Sequence, residues 1–480
     1  MLKSNIAWMK KNVPSDLKVW KGMIQDIDWS QVAAKTKLSL QRDKDRITAE
    51  FKEFAAMDTS AKIDWLMNGD RHLGYLYKKD AIAFARREWK GLKSVGYDFV
   101  GWLKIWGGML NMVMKDPMSI MLAVFEYHWF ASYLATPAVV DRSVFGRRGK
   151  LLQADFDMWV AITHWAEDLI ANLIMADAKI GGNQKINKRI IMFDEMTMAQ
   201  MMAGFPNLLG IPYQMIPVFM VSEMDQLTLI PYIDAIESYG LPSDTCPLPT
   251  AECGCAVKDE YPMCGQGFIA SSMPCDGSVM ATSFQDRRFS KFMPSYPLCM
   301  PVRYDDEDTT EMAAADMKDC IHWVEGLTGE TWNWDTYFAT MEKMNECTRL
   351  EMEKWEINKT HYPQLVGSSF ELFRKWNYEM DGGLFPEGLK TQRKICKTMM
   401  ETYEKKLPAY VGGYEKYRAL IWSCPAHFYA NFSNWLANCW GIYALTEMEA
   451  LNMTKMLNTT DKEEAINDLC RLYERMVMRR

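Results

Sequence analysis

The sequence predicts an α/β fold built on parallel sheets, with a long helical region ahead of them. Three observations carry this. Within residues 1–185, stretches such as 61–92 and 155–180 place apolar residues at three- and four-residue steps with few β-branched runs, the helical period. From 189 onward, short apolar runs alternate with helical stretches, which is the pattern of βαβ units and a doubly wound, Rossmann-like sheet. Between 308 and 406 the pattern is helical again, and a second strand–helix–strand series opens near Tyr417.

Taken in order, RIIMF (189–193) reads as the first strand and 194–205 as the helix after it. Residues 211–220 read as a second strand, and 223–240 as a helix closed by Gly240. GFIASS (267–272) and PLCMPVR (297–303) are two further strands, each followed by a helical stretch. LTGE (327–330) makes a turn. The helix after it aligns Tyr337, Met341, Met344, Met352 and Trp355 on one face, with Thr348 the polar exception. In the second series, 418–423 and 440–447 are strands around a helix at 427–438, and 461–480 is a last helix. The expected division is 1–185 helical, 186–307 first α/β domain, 308–410 helical insertion and 411–480 the start of a second α/β domain. Two strands are too few for a two-sided parallel sheet, so that last unit is expected to be incomplete, with apolar surface left uncovered.

Composition narrows the function. A net charge of −7 argues against a nucleic-acid surface, which needs clustered Lys and Arg. Arg147, Arg148 and Lys150 read as a solvated turn. The first residues lack the apolar core of a signal peptide. Residues 118–140 are the best membrane candidate, but Glu126, His128 and a proline make a buried core helix the better reading. Twelve irregularly spaced cysteines do not suggest a disulfide scaffold, so a reducing cytoplasm is expected, with thiols that are buried, metal-ligating or catalytic.

Two of those cysteines stand at loop mouths. Cys275 follows the strand at 267–272 and precedes a helix starting near Gly277, which places it at the carboxyl end of the strand, where open α/β sheets bind ligands. A helix N-terminus there favours the thiolate. Cys246 follows LPSDT, with Pro247 and Pro249 fixing its loop, and could share that edge. A zinc site from Cys246, Cys253, Cys255 and Cys264 is an alternative, although there is no CxxC pair. None of the six histidines lies near these loops; His322 reads as structural. Cys299, Cys320, Cys347, Cys396 and Cys470 read as core or incidental thiols. There is no GxGxxG after 189–193 and no GxxxxGK[ST]. From the residues alone, Cys246 and Cys275 either hold a metal or iron–sulfur group or are ordinary thiols.

The stretches ESYGLPSDTCPLPTAECGCAV (237–257), GFIASSMPCDGSVMA (267–281), 322–356 and YRALIWSCPAHFYANFSNWLANCWGIYALTE (417–447) together resemble the subunits of 2-hydroxyacyl-CoA dehydratases and the related ATP-dependent benzoyl-CoA reductases. The resemblance covers about 186–480, and 1–185 has no counterpart in it. It implies a 4Fe-4S cluster held by three cysteines, with Cys246 and Cys275 as the first two. The third belongs in the later part of the second α/β domain and would fall beyond Arg480; Cys424 is the nearest substitute within the chain. A polar group ahead of the first cysteine is also implied, for which the sequence offers Glu195 and Gln200. The resemblance further implies an acyl-CoA substrate, a related second dehydratase subunit forming a heterodimer, and an ATP-dependent iron–sulfur activator protein. The activator delivers one electron, and a ketyl radical anion then expels the hydroxyl group. The expected function is thus a lyase subunit, with a benzoyl-CoA reductase-type subunit and a non-catalytic structural or partner subunit as alternatives, and with neither nucleic acid nor membrane as partner.

Overall fold

The structure, a computed structural model, describes residues 29–68, 92–144, 147, 149–193, 199–213, 215–219, 221, 226–272, 275–301, 306–367, 385–407, 415–421, 436–447 and 455–474. Ahead of the sheet lie α1 (Trp29–Ala56), α2 (Thr59–Asn68), α3 (Leu92–Lys115), α4 (Pro117–Glu126), α5 (Thr136–Ser143), α6 (Gly149–Ala176) and the one-turn α7 (Gln184–Asn187). α6 is buried nearly all round, with Phe156, Trp159, Ile162, Ile170 and Ile174 in the core. α3 runs along it at close range, because a Cβ at Gly101 would collide with the Phe156 ring. The opposite face of α3 carries Phe99, Leu103, Trp106, Leu110 and Met114, all exposed.

Residues 118–140 do not form one helix. α4 stops at Tyr127, whose backbone is extended and whose hydroxyl donates to the buried Asp177. A 3-10 stretch, His128–Ala135, and then α5 follow. Among the described residues, no helix is long and apolar enough to cross a membrane. Of the basic cluster read as solvated, Lys150 is exposed but Arg147 is not. Arg147 is buried, its Nε 2.8 Å from Asp155 Oδ2, and the Asp155 carboxyl is pushed up by burial to about 6, with Arg147 acting against the rise. Lys150 pairs with Glu401 at 3.1 Å, and Arg148 lies outside the described residues.

Four parallel strands form the first sheet in the order β2-β1-β3-β4: β1 (Ile190–Phe193), β2 (Leu209–Pro212), β3 (Gly267–Ser271) and β4 (Ser295–Leu298). Ile190 pairs with Leu209, Ile191 with Gly267, and Phe268 with Ser295. β1, at the centre, is buried throughout, as a strand covered on both faces requires. The helix expected after it is α8 (Ala199–Met202), shorter than the sequence suggested within the described residues. The second strand is shorter too, since after Pro212 the chain winds into a π-helix at Met215–Phe219. α9 (Ile230–Glu237) ends near Gly240, which takes the left-handed conformation (φ +96°). α10 (Pro247–Val257) and α11 (Asp276–Phe289) are the crossover helices on either side of β3.

α12 (Glu307–Thr328) and α13 (Trp334–Asn358) turn at Gly329, φ +77°. Trp332 in that turn donates its Nε1–H to the Met201 carbonyl at 2.9 Å. On α13 the buried stripe is Tyr337, Met341, Met344, Thr348 and Glu351, while Met352 is exposed and Trp355 only half-buried. The inward face follows the three- and four-residue steps past Thr348 to Glu351, whose carboxylate pairs with the buried Lys354 at 2.8 Å. α14 (Pro386–Glu404) packs against both α13 and α6. β5 (Tyr417–Ile421) and β6 (Ile442–Glu447) form a separate parallel pair with its own small cluster of Val366, Ala437 and Tyr443. Arg418 ties this pair to α13 by donating to the carbonyls of Asn358 and Lys359 at 3.3 and 3.2 Å. Tyr417 and Leu420 are exposed. α15 (Lys462–Glu474) packs on α12, and its Tyr473 hydroxyl reaches Gln200 Oε1 at 2.6 Å.

Candidate functional site

In a parallel sheet the crossover helices begin at the carboxyl edge, and the ligand crevice lies where strand order reverses. Here the chain moves from β1 outward to β2 and then returns to β3 on the other side, so the reversal lies between β1 and β3. The exit from β3 is fixed by a clasp. Ser272 Oγ donates to the Met300 carbonyl at 2.7 Å, and Met300 N–H donates back to Ser272 Oγ at 2.8 Å. Cys275 follows as the N-cap of α11, half-buried, with Sγ 3.6 Å from Ser278 Oγ.

Cys246 is the N-cap of α10 and is exposed. Pro247 supplies a preset φ at the first helical position, and the Cys246 carbonyl accepts from Thr250 Oγ1 at 2.8 Å. Neither thiol caps its own helix, so neither sulfur is used in the way that Ser or Asp is used at this position. The two helices pack side by side, and their first turns touch. A Cβ placed on Gly277 would lie 2.9 Å from Pro249 Cγ and 3.7 Å from Cys275 Sγ. Glycine at 277 therefore lets two helix N-termini converge, each carrying the positive end of its dipole, although Pro247 and Pro249 leave α10 only the Leu248 N–H ahead of Thr250, whose own N–H donates to the Cys246 carbonyl. Such a place favours thiolates and other anionic groups. Two accessible thiols there suit a thiolate-ligated cluster as two of its ligands. Among the described residues, no group of three or more His, Cys, Asp or Glu is placed to hold a metal ion. Cys424 and Glu195 lie outside the described residues. Gln200 is fully buried, with its carbonyl oxygen engaged by Tyr473.

The zinc alternative does not assemble. Cys253 and Cys255 are two apart on α10 and so point to different sides. Cys253 packs with Ile236 and Ala281, whereas Cys255 and Cys264 belong to the main core. Burial pushes the Cys253 thiol up to about 12 and those of Cys255 and Cys264 well above their ordinary value, so these three stay protonated. Cys320, Cys347, Cys396 and Cys470 are buried in the same manner, and Cys299 is exposed just after β4. His322 is exposed on α12 rather than packed in the core.

The fold is an α/β chain with two thiols, Cys246 and Cys275, at the starts of neighbouring helices beside the switch point of a parallel sheet. The 2-hydroxyglutaryl-CoA dehydratase, D-component family matches residues 226–479, just over half of the chain, and the chain belongs to that family. It is a 2-hydroxyacyl-CoA dehydratase-type subunit. No curated protein matches the chain.

Proposed function

We propose that this chain is the iron–sulfur subunit of a radical 2-hydroxyacyl-CoA dehydratase working in an oxygen-poor cytoplasm, with Cys246 and Cys275 as two thiolate ligands of a 4Fe-4S cluster. The supporting observation is the contact between the first turns of α10 and α11, the two helices at whose N-cap positions these cysteines stand. Cys424 is the third-ligand candidate within the chain. The division at 185, 307 and 410 belongs to the same reading, with the cluster loops in the first α/β domain. Once bound, the cluster would supply one-electron chemistry beside a thioester carbonyl. The chain's own contribution is to hold thiolates at helix N-termini, where the dipoles offset their charge, and to fix the β3 loop through the Ser272–Met300 clasp.

The reaction removes H and OH from a 2-hydroxyacyl-CoA and leaves a carbon–carbon double bond, so it is redox-neutral overall. Hydroxide is a poor leaving group next to a thioester carbonyl, and an electron added to that carbonyl makes its departure feasible. An ATP-dependent activator protein fits as the source of that electron, and a related second subunit fits as the partner.

Anaerobic purification with iron and sulfide analysis tests this reading. The wild-type chain should be brown and carry iron, and Cys246→Ala and Cys275→Ala should each lose most of it with an unchanged circular-dichroism spectrum. A colourless, iron-free wild type, or iron retained in both variants, would sink the proposal and leave a non-catalytic partner subunit. Assays of the iron-loaded chain, with partner and activator, on 2-hydroxyacyl-CoA against benzoyl-CoA then separate the lyase from a reductase.

A further inference from the structure

We infer that a second ligand site lies beside the amino-terminal end of β2, and that it takes a small organic cation, an ammonium or amidinium carried on an apolar body. α3, α6, the turn ahead of β2 and the start of α14 enclose a cleft of 830 Å3, a size usual for small-molecule sites. Met112, Trp165, Leu169, Phe205 and Leu208 supply apolar wall. Glu167 also lines it. This side chain is only 6% exposed, and neither of its carboxyl oxygens has a hydrogen-bond partner. Space for it comes from bare backbone on α3, because a Cβ at Gly108 would collide with Glu167 Oε2 and stand 2.7 Å from His164 Cδ2.

The other ionisable groups facing the cleft are Lys104 and Lys115 of α3, His164 and Asp168 of α6, and Glu387 in the first turn of α14. Most of these are matched among themselves. Lys115 pairs with Asp168, and His164 Nδ1 lies 3.4 Å from Glu387 Oε2, while Lys104 is exposed at the rim. Glu167 alone is both buried and unanswered. Burial pushes its carboxyl up to about 8, with Lys115 acting against the rise, so without a ligand it is protonated at neutral pH. A buried carboxyl lacking partners is destabilising, and charge-assisted bonds are the strongest it can be offered. Neither oxygen is open to the cleft, so a ligand N–H pair reaches the carboxyl by drawing the side chain away from the Gly108 backbone, and its positive charge then favours the ionised form. The site stands on the opposite edge of the sheet from Cys246 and Cys275. Apart from the start of α14, its lining precedes the matched family region.

Calorimetry on the full chain with benzamidine, benzamide and benzoate tests the inference, since the three share a ring and differ in charge. Benzamidine should bind, with the other two at least tenfold weaker. Its affinity should rise towards tenfold per unit between pH 6 and 8, with a proton released per ligand, seen as a buffer-dependent heat. Glu167→Gln should lower benzamidine affinity at least tenfold and abolish the proton release. Failure of benzamidine to bind overturns the site, as does equal binding of benzamide or benzoate, or unchanged affinity in Glu167→Gln. Should that variant not fold, an absence of proton release in the wild type is enough to overturn it.

Discussion

The two edges of the four-stranded sheet treat acidic groups in opposite ways. At the carboxyl edge, the N-termini of α10 and α11 meet, and the acidic side chains placed there are two accessible thiols and the first-turn Asp276. Both thiols stand at the amino-terminal, positive ends of helix dipoles. Beside the amino end of β2, Glu167 is enclosed with no protein donor for its oxygens, and burial keeps it neutral. One helix does begin at that cleft, α14 at Pro386, but its first-turn Glu387 already sits there and faces His164. One edge therefore presents its acidic groups openly at helix ends, whereas the other encloses its carboxyl without a partner. In both places a glycine makes the arrangement possible: Gly277 between the two helix starts, and Gly108 against the carboxyl.

The largest expected effect is on pH dependence and belongs to the amino edge. The folded-state Glu167 carboxyl sits at about 8, against an ordinary 4.5. The folded protein therefore holds a proton that the unfolded chain gives up above 4.5. Stability should fall as pH rises from 4.5 through 8, by an amount on the order of 5 kcal/mol if this group acts alone. Buried Asp155, raised to about 6, adds the same sign over a lower window. Denaturant melts from pH 5 to 9 should show the decline, and Glu167→Gln should flatten its upper part. An unchanged slope in that variant would mean that Glu167 is not buried as described.

Next in size is Gly254→Ala. A Cβ there would collide with the Tyr232 backbone carbonyl, and backbone gives way less easily than a side-chain tip. α9 and α10 would be forced apart, at about 3 kcal/mol. Since Cys246 stands at the start of α10, iron retention should fall with stability. Chemical denaturation combined with iron analysis checks both, and a variant of wild-type stability would refute the close helix crossing.

Much of the carboxyl edge was legible in the sequence, because helix starts leave local marks. Pro247 after Cys246 and Asp276 after Cys275 stand where first-turn residues belong, and the runs at 189–193 and 267–272 are strands covered on both faces. Of the strand expected at 297–303 only Pro297 and Leu298 lie in β4, which starts at Ser295; Tyr296 is half-buried and Pro297 exposed, so no apolar run marks its beginning. Residues 211–220 looked like one strand, but only Ile211 and Pro212 of them lie in β2 before the chain changes to a π-helix. Arg147 was misread because its partner, Asp155, is identified only by the inward face of α6. Glu167 left no signal of its own. Within HWAEDLI it reads as a solvated position, and its burial is imposed by the Gly107–Gly108 stretch of α3, sixty residues earlier.

The smallest predicted effect is the sharpest test of the comparison. Gly277→Ala would place a Cβ 2.9 Å from Cγ of Pro249, a buried ring tied to its own backbone in the first turn of α10, so the two helix starts must move slightly apart. Alanine also gains about 1 kcal/mol of helix propensity over glycine, which offsets the crowding, so global stability should change by less than about 1 kcal/mol. The convergence of the two N-termini should nonetheless loosen, because Pro249 and Gly277 form the contact between them. If thiolates are held there by joint helix ends, Gly277→Ala should lower iron retention and slow alkylation of Cys275 while the melting curve stays in place. Gly108→Ala is the matched control. It should destabilise the helical layer by displacing Glu167 and leave the iron content per folded molecule unchanged. Loss of iron in the control, or full retention in Gly277→Ala, would show that the two edges are not independent in the way their geometry implies.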